Sequence, residues 1–317
     1  QRQRGENGEI DGAITHRAFR DLADLAGAGD LMVRNTSRVF RARLLGTRDS
    51  GAPAEVFLLK PLGDGLWEAM VHPGGKLHPP RVVHVADGYD VEIVEVTERR
   101  TRVVRLRSPL SERDAIERHG HVPLPPYIER TDAPADAERY QTVYANESGS
   151  VAAPTAGLHF TLELLAEIAG RGVRSADVLL HVGAGTFKPV DAEELAAHVM
   201  HEEWYRVPAE TAAAINATRD AGRSVWAIGT TTLRTLESVI GPEGRARAGE
   251  GETAIFIHPP YVVRSVDRLV TNFHLPRSTL LMLVAAFAGF DLTMRAYAEA
   301  VRERYRFYSY GDAMVIR

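Results

Sequence analysis

Hydrophobic and polar positions change their rhythm along the chain. In "THRAFRDLADLAGAGD" Phe19, Leu22 and Leu25 recur at helical spacing and end at glycine, which predicts a short helix. "LMVRNTSRVFRARLLG" follows with the β-branched and apolar runs of a strand. From about Gly46 to Pro109 the helical period disappears. "AEVFLLKPL", "WEAMVH", "RVVHVADGYDVEIVEV" and "RVVRLR" are separated by Gly, Pro and Asp turn signals, so residues 47–109 are expected to form a small all-β, barrel-like insertion. The proline-rich "HGHVPLPPYIERTDAPADAERYQ" leads back to the main fold.

After Tyr140 the pattern is α/β. "TLELLAEIAGRG" predicts a helix with a glycine stop, and "SADVLLHVG" a strand. "DAEELAAHVMHEEW", capped by Asp191, and "AETAAAINATRDAGRS" predict two further helices. "VWAIGT" is a strand and "TLRTLESVI" a helix; "GPEGRARAGEGE" is a polar, glycine-rich loop, and "TAIFIH" and "YVVR" are short strands. "STLLMLVAAFAG" reads as a buried helix with Ser278 at its N-cap, and "LTMRAYAEAVRERY" as a last helix. The expected architecture is an α/β main domain built discontinuously from residues 1–46 and 110–317, with the all-β domain inserted.

Composition narrows the chemistry. With 317 residues and 44% hydrophobic content, the chain can bury the cores of two domains. There is no cysteine, which excludes disulfides, thiolate nucleophiles and cysteine-ligated metals. No apolar run approaches the roughly 18 residues of a membrane span, and no leader pattern is present, so the expectation is a cytoplasmic protein without a membrane partner. A net charge of −4 gives no global attraction to nucleic acid, so an RNA partner must meet a local basic patch. "RVFRARLLGTR" and "ERRTRVVRLR" are the candidates; the arginines of the second fall on both faces of a strand and also suit a solvated sheet surface.

Five segments carry candidate chemistry. "VLLHVGAGTFKPV" runs a strand into a glycine turn, but His181 stands where a nucleoside-binding strand has its acid, and no helix follows at once, so a dinucleotide fingerprint is incomplete. "AAPTAGLHF" offers a tight turn at a helix start with His159 as acid or base. In "HVMHEEW", His198 and His201 share a helix face, which suits a metal pair or an acid–base network; the network is preferred, and no metal is expected. "IGTTTLRTLES" places three threonines at a helix start, with Arg234 and Glu237 three residues apart. "TNFHLPRSTL" sets Asn272 and His274 in a loop before a very apolar helix, and "YRFYSYGDAMVI" groups aromatics around Asp312.

These segments, together with "YQTVYA", "PLPPYIER" and "GDLMVRNTSRVFRARLLG", resemble in order and spacing the S-adenosylmethionine:tRNA ribosyltransferase-isomerase family of queuosine biosynthesis, from about Thr15 to Ile316. The resemblance implies transfer of the ribosyl part of S-adenosylmethionine, consumed as a substrate and not held as a cofactor, to 7-aminomethyl-7-deazaguanine in tRNA. Epoxyqueuosine, adenine and methionine are the implied products, and a monomer is expected. One segment departs from the family pattern: Thr36, Ser37, Phe40 and Arg41 differ from the usual residues, Arg41 replacing a proline.

On this resemblance His159, His201, Glu203, His274 and Asp312 are the expected acid–base groups. Thr155, Gly157 and Phe160, then His181, Gly183, Gly185, Thr186 and Phe187, with His198, would line the substrate. So would Thr230, Thr231, Arg234 and Glu237, with Asn272, Phe273 and Tyr310; Arg234 is a candidate carboxylate partner. Asn35, Arg38, Arg41, Arg43, Tyr140, Gln141 and Tyr144 are candidate tRNA contacts, and Tyr140, Tyr144, Phe160, Phe187 and Phe273 candidate stacking partners for the modified base. Two alternatives stay open: a methyltransferase, which would make S-adenosylhomocysteine, and a paralogue that binds tRNA without catalysis.

Overall fold

The computed structural model describes residues 3–4, 10–183 and 200–317. The chain divides into two compact units, one of Gln1–Arg38, Gln141–Glu147 and Ala153–Arg317, the other of Val39–Tyr140 and Ser148–Ala152.

The second unit is a closed barrel of six strands. In order around the barrel they are Arg102–Arg107, Leu66–His72, Pro53–Gly63, Arg43–Arg48, Val82–Ala86 and Tyr89–Val96, paired antiparallel. Alternation along the strands turns Leu44, Val56, Leu58, Ala69, Val83, Val91, Ile93 and Val104 into a dry interior. Closure leaves no edge to pair with another chain. The barrel-like insertion expected from the turn-punctuated pattern is therefore present.

The first unit is a seven-stranded mixed sheet with helices on both faces. Its elements are β1 (Leu31–Asn35), α1 (Leu162–Gly170), β2 (Arg174–Leu180), β3 (Glu203–Val207), α2 (Ala209–Asp220), β4 (Val225–Ile228) and α3 (Thr230–Val239). Then follow β5 (Gly249–Thr253), β6 (Arg268–Asn272), α4 (Thr279–Ala288), α5 (Phe290–Arg302) and β7 (Ala313–Ile316). The strand order is β5-β3-β2-β1-β4-β6-β7. The four central strands β2, β1, β4 and β6 run parallel, β3 and β7 run against them, and β5, antiparallel to β3, runs with them.

Burial on both faces explains the near-continuous apolar runs of the central strands. Leu31, Val33, Val225, Ala227 and Leu269 join a core that includes Ile215 of α2, Leu233 and Leu236 of α3, and Leu283 and Phe287 of α4. Their sequence neighbours Met32, Trp226, Ile228 and Val270 face the opposite way, onto Leu164 and Ile168 of α1. Ser278 caps α4 as expected, its hydroxyl accepting the Leu281 N–H. Among the described residues no single helix is long and apolar enough to cross a membrane.

Three local expectations fail. Glu203 and Trp204 do not continue a helix; they open β3, which is held by ladders on both sides, to β2 and to β5. The polar loop before Thr253 supplies strand β5, because β3 offers an open ladder that even "GEGET" can fill. Conversely "TAIFIH" and "YVVR" form no strands; Ile255, Ile257, Tyr261 and Val263 pack their side chains on the core without a ladder. In the first two cases tertiary pairing, and in the third side-chain packing, overrides local propensity.

Candidate functional site

In an open sheet, ligands gather outside the carboxyl ends of parallel strands. Here β1 ends at Asn35, β2 at Leu180, β4 at Ile228 and β6 at Asn272, while the reversed strands β3 and β7 begin at that same edge with Glu203 and Ala313. His181, Gly183, Glu203, Thr230, Thr231, Asn272, Phe273, His274 and Asp312 thus arrive together at one rim. They do not form one cluster. Glu203 and Asp312 stand five strand steps apart, about 24 Å at ~4.8 Å per step.

One group lies on the β2–β3 side. Arg234, on α3, and Glu203 form an ion pair at 3% and 4% side-chain exposure, through Nη1 and Oε2. The other carboxylate oxygen, Oε1, accepts the Gly183 N–H at 3.0 Å and so fixes the turn after β2. Both oxygens of Glu203 are therefore used by fixed donors. His181 stacks on Trp204, centroids 5.2 Å apart at 22°, and its buried Nδ1 has no partner among the described residues. Burial pushes the His181 imidazole below its ordinary value, the Glu147 carboxylate opposing and Arg206 assisting, so the ring is neutral near pH 7.

The second group lies on the β6–β7 side. The amide orientation of Asn272 is set by the Tyr308 carbonyl, to which Nδ2 donates at 3.0 Å. The same Nδ2 donates to His159 Nε2 at 3.3 Å, so the neutral ring carries its hydrogen on Nδ1. Phe19 stacks on His159 with centroids 4.8 Å apart. Burial lowers the His159 imidazole, while Asp312 pulls it up and Arg306 pushes it down. Burial works to raise Asp312, but the Arg306 N–H and guanidinium, with His159, overcome it and hold the carboxyl low. A cavity of about 310 Å3 borders His159, Asp312, Phe19, Phe273 and Tyr305.

Between the two groups lies the 3-10 turn Thr155–His159. Gly157 is required there, because a Cβ would stand 2.1 Å from the Tyr144 hydroxyl. Ala156 reaches the start of α3, where Gly229 turns the chain at φ +91°. Thr155, Gly157, Thr230 and Thr231 are thus brought to the middle of the rim.

His274 pairs through Nε2 with Thr271 Oγ1 at 2.7 Å, and its N–H donates to the Tyr297 hydroxyl at 2.8 Å. Desolvation pushes its imidazole down to about 4. The native state then binds fewer protons than the unfolded chain, whose histidine titrates near 6.5. Stability is complete above that value and falls as pH drops from about 7 to about 4, by about 3 kcal/mol. Urea unfolding midpoints followed from neutral pH to pH ~5 should show this slope in the wild type and a shallower one in His274→Gln. An unchanged slope would remove His274 from the account.

Other expected residues have different commitments. Glu237 has a fully buried side chain, and its carboxylate accepts the Arg264 and Ser265 N–H groups and the Tyr261 hydroxyl. It staples a loop to α3 and leaves no oxygen for substrate. Asn35 is 0% exposed; its Oδ1 accepts the Leu180 and Ser37 N–H groups and its Nδ2 donates to the Leu180 carbonyl, so it joins β1 to β2 and reaches no phosphate. Phe160 and Phe273 are core residues with edge-on aromatic neighbours, Phe273 also bordering the cavity beside His159, and Tyr140 is wholly buried in the barrel unit. Tyr144 is half-buried, with Arg34 4.7 Å over its ring.

Arg43 is held in a two-pronged pair with Glu55, and Arg41 stands 3.8 Å from Glu117; Arg38 is exposed, Gln141 is half-buried, and His201 and Tyr310 are exposed. Gly185, Thr186, Phe187 and His198 lie outside the described residues. Sequence reasoning missed Trp204, Phe19 and the locking of Glu203 by Arg234. The signal for that pair was weak: two charges 31 positions apart, one beside histidines and one inside an apolar helix. Among the described residues no three His, Asp or Glu side chains assemble as a metal site would need.

Known proteins resemble this chain over nearly its whole length. The model of a family described as queuosine biosynthesis protein matches residues 6–316. The S-adenosylmethionine:tRNA ribosyltransferase-isomerase of Symbiobacterium thermophilum is 53% identical over 308 residues, 96% of this chain and 89% of the relative. That of Thiobacillus denitrificans is 52% identical over 305 residues, 96% of this chain and 88% of the relative. The crystal structure of an S-adenosylmethionine tRNA ribosyltransferase from Thermotoga maritima superposes with a TM-score of 0.51 at 36% identity, covering 98% of this chain and 89% of that one.

Proposed function

The chain belongs to the queuosine biosynthesis protein family, and from that premise we propose that it is an S-adenosylmethionine:tRNA ribosyltransferase-isomerase. In this reading the ribosyl part of S-adenosylmethionine, consumed as a substrate, is transferred to the aminomethyl group of 7-aminomethyl-7-deazaguanine at the wobble position of tRNA. Adenine and methionine leave, and the sugar closes to the epoxycyclopentane of epoxyqueuosine. The observation that carries the reading is the gathering of "AAPTAGLHF", "LLHVG", "GTTTLR", "TNFH" and "YGDAM" at one sheet rim, although up to about half the chain separates them.

The chemistry asks for neutral bases. An aminomethyl group is mostly protonated at neutral pH and must lose a proton to attack, and the carbon beside a sulfonium is acidic enough for a side chain to deprotonate. His159 and His181, both kept neutral by burial, are suited to these two tasks. Asp312, beside His159, stabilises that ring when it takes up a proton. Arg38, exposed on the first unit, is suited to a tRNA phosphate.

The test is incubation with S-adenosylmethionine and tRNA bearing the aminomethyl base, with chromatography of the small products. Free adenine is expected. S-adenosylhomocysteine in its place would make the protein a methyltransferase, and tight tRNA binding with neither product would make it a binding paralogue.

A further inference from the structure

The Arg234–Glu203 pair leaves something unfinished. Of the three guanidinium nitrogens, only Nη1 is engaged among the described residues; Nε and Nη2 are buried there without a hydrogen-bond partner, on a residue 2% exposed. A buried cation with idle donors costs free energy that a native fold ordinarily avoids. Three residues earlier on the same face of α3, Thr231 is 9% exposed, and its hydroxyl is likewise without a partner. Helical side chains lean toward the helix start, so Arg234 reaches back over the turn that holds Thr231. That hydroxyl would lie 3.5 Å from a Cβ at Gly229, at the mouth of the helix. The N-terminus of α3 has no side-chain cap, and its first N–H groups point the same way.

These donors describe a receptor for a small anion. It offers two guanidinium nitrogens, one hydroxyl and the N–H groups of a ten-residue helix, with no acceptor but the hydroxyl itself. A polymer phosphate does not fit, because the guanidinium is almost wholly enclosed and a backbone phosphate cannot leave its chain. A carboxylate at the end of a flexible arm can enter. Glu203 already neutralises one unit of charge, so the receptor holds a carboxylate best when its carrier is cationic, as a sulfonium amino acid is.

Resting on the reaction proposed above, we infer that Arg234, held by Glu203, together with Thr231 and the start of α3, binds the α-carboxylate of the methionine part of S-adenosylmethionine. Glu203 is then a positioning residue that holds the guanidinium in place and transfers no proton.

The experiment is calorimetric titration of the whole protein with S-adenosylmethionine and with its decarboxylated analogue, which keeps the sulfonium and nucleoside. The wild type should bind the carboxylate-bearing compound roughly 100-fold more tightly. The paired variant Glu203→Gln/Arg234→Gln, which leaves no stranded charge, should bind both compounds with the affinity of the analogue. Thr231→Val, which keeps the helix, should lose about 5-fold on S-adenosylmethionine and nothing on the analogue. The assignment is overturned if the wild type does not distinguish the two compounds, binds neither, or if the variants weaken both equally. Adenine measured in the same samples judges the reaction separately: selective binding without adenine would leave the carboxylate site standing and remove the proposed activity.

Discussion

Replacing Glu203 by alanine should cost about 3–5 kcal/mol of folding stability. The change removes the one ionic partner that a guanidinium at 3% exposure has among the described residues, and at the same time takes away the carboxylate that accepts the Gly183 N–H. Replacing both members of the pair, Glu203→Leu with Arg234→Met, should recover most of the loss, because it is the lone buried charge and not the missing attraction that is costly. Urea unfolding of wild type, single and double variants measures all three. A single variant within about 1 kcal/mol of wild type, the range of an exposed pair, would mean that the pair is open to solvent.

His159→Asn should lower adenine release by about 100- to 10,000-fold, the usual contribution of a positioned base. The pH profile separates this from structural damage. Since the folded ring titrates below its ordinary 6.5, the acidic limb of kcat/KM should lie on the acid side of that value and be absent in the variant. Asp312 raises the His159 imidazole by its charge, so Asp312→Asn should move the limb to still lower pH. A limb that stays in place in His159→Asn would assign it to another group, with His181 next in line.

How far these arguments were open to a reader of the sequence depends on distance along the chain. The barrel was legible because its strands are joined mostly by short turns, whose Gly, Pro and Asp residues mark each reversal. The helices α1 to α5 were legible from apolar spacing and caps such as Ser278. Strand β3 was hidden because "HEEW" has helical character by itself, and only its ladders to β2 and β5 decide otherwise. The site was legible as a set of segments and not as contacts. Glu237 looked like a partner for Arg234, three residues away, but faces a loop that the chain reaches 27 and 28 residues later. Asn35 looked like a surface amide before an arginine-rich run; its partner Leu180 lies 145 positions on.

That last separation has a bearing on how the molecule comes to be folded. β1 is flanked by β2 and β4, and each of its ladders waits for a segment more than a hundred residues further along. The barrel has its neighbours close at hand, and closing short loops is far faster than closing long ones. The barrel strands can therefore zip together while β1, already synthesised, still has nothing to pair with. The strand at the centre of the finished sheet is among the earliest made and among the last to be completed, and until then its apolar Leu31-Met32-Val33 depends on the chain's other means of keeping it from foreign contacts.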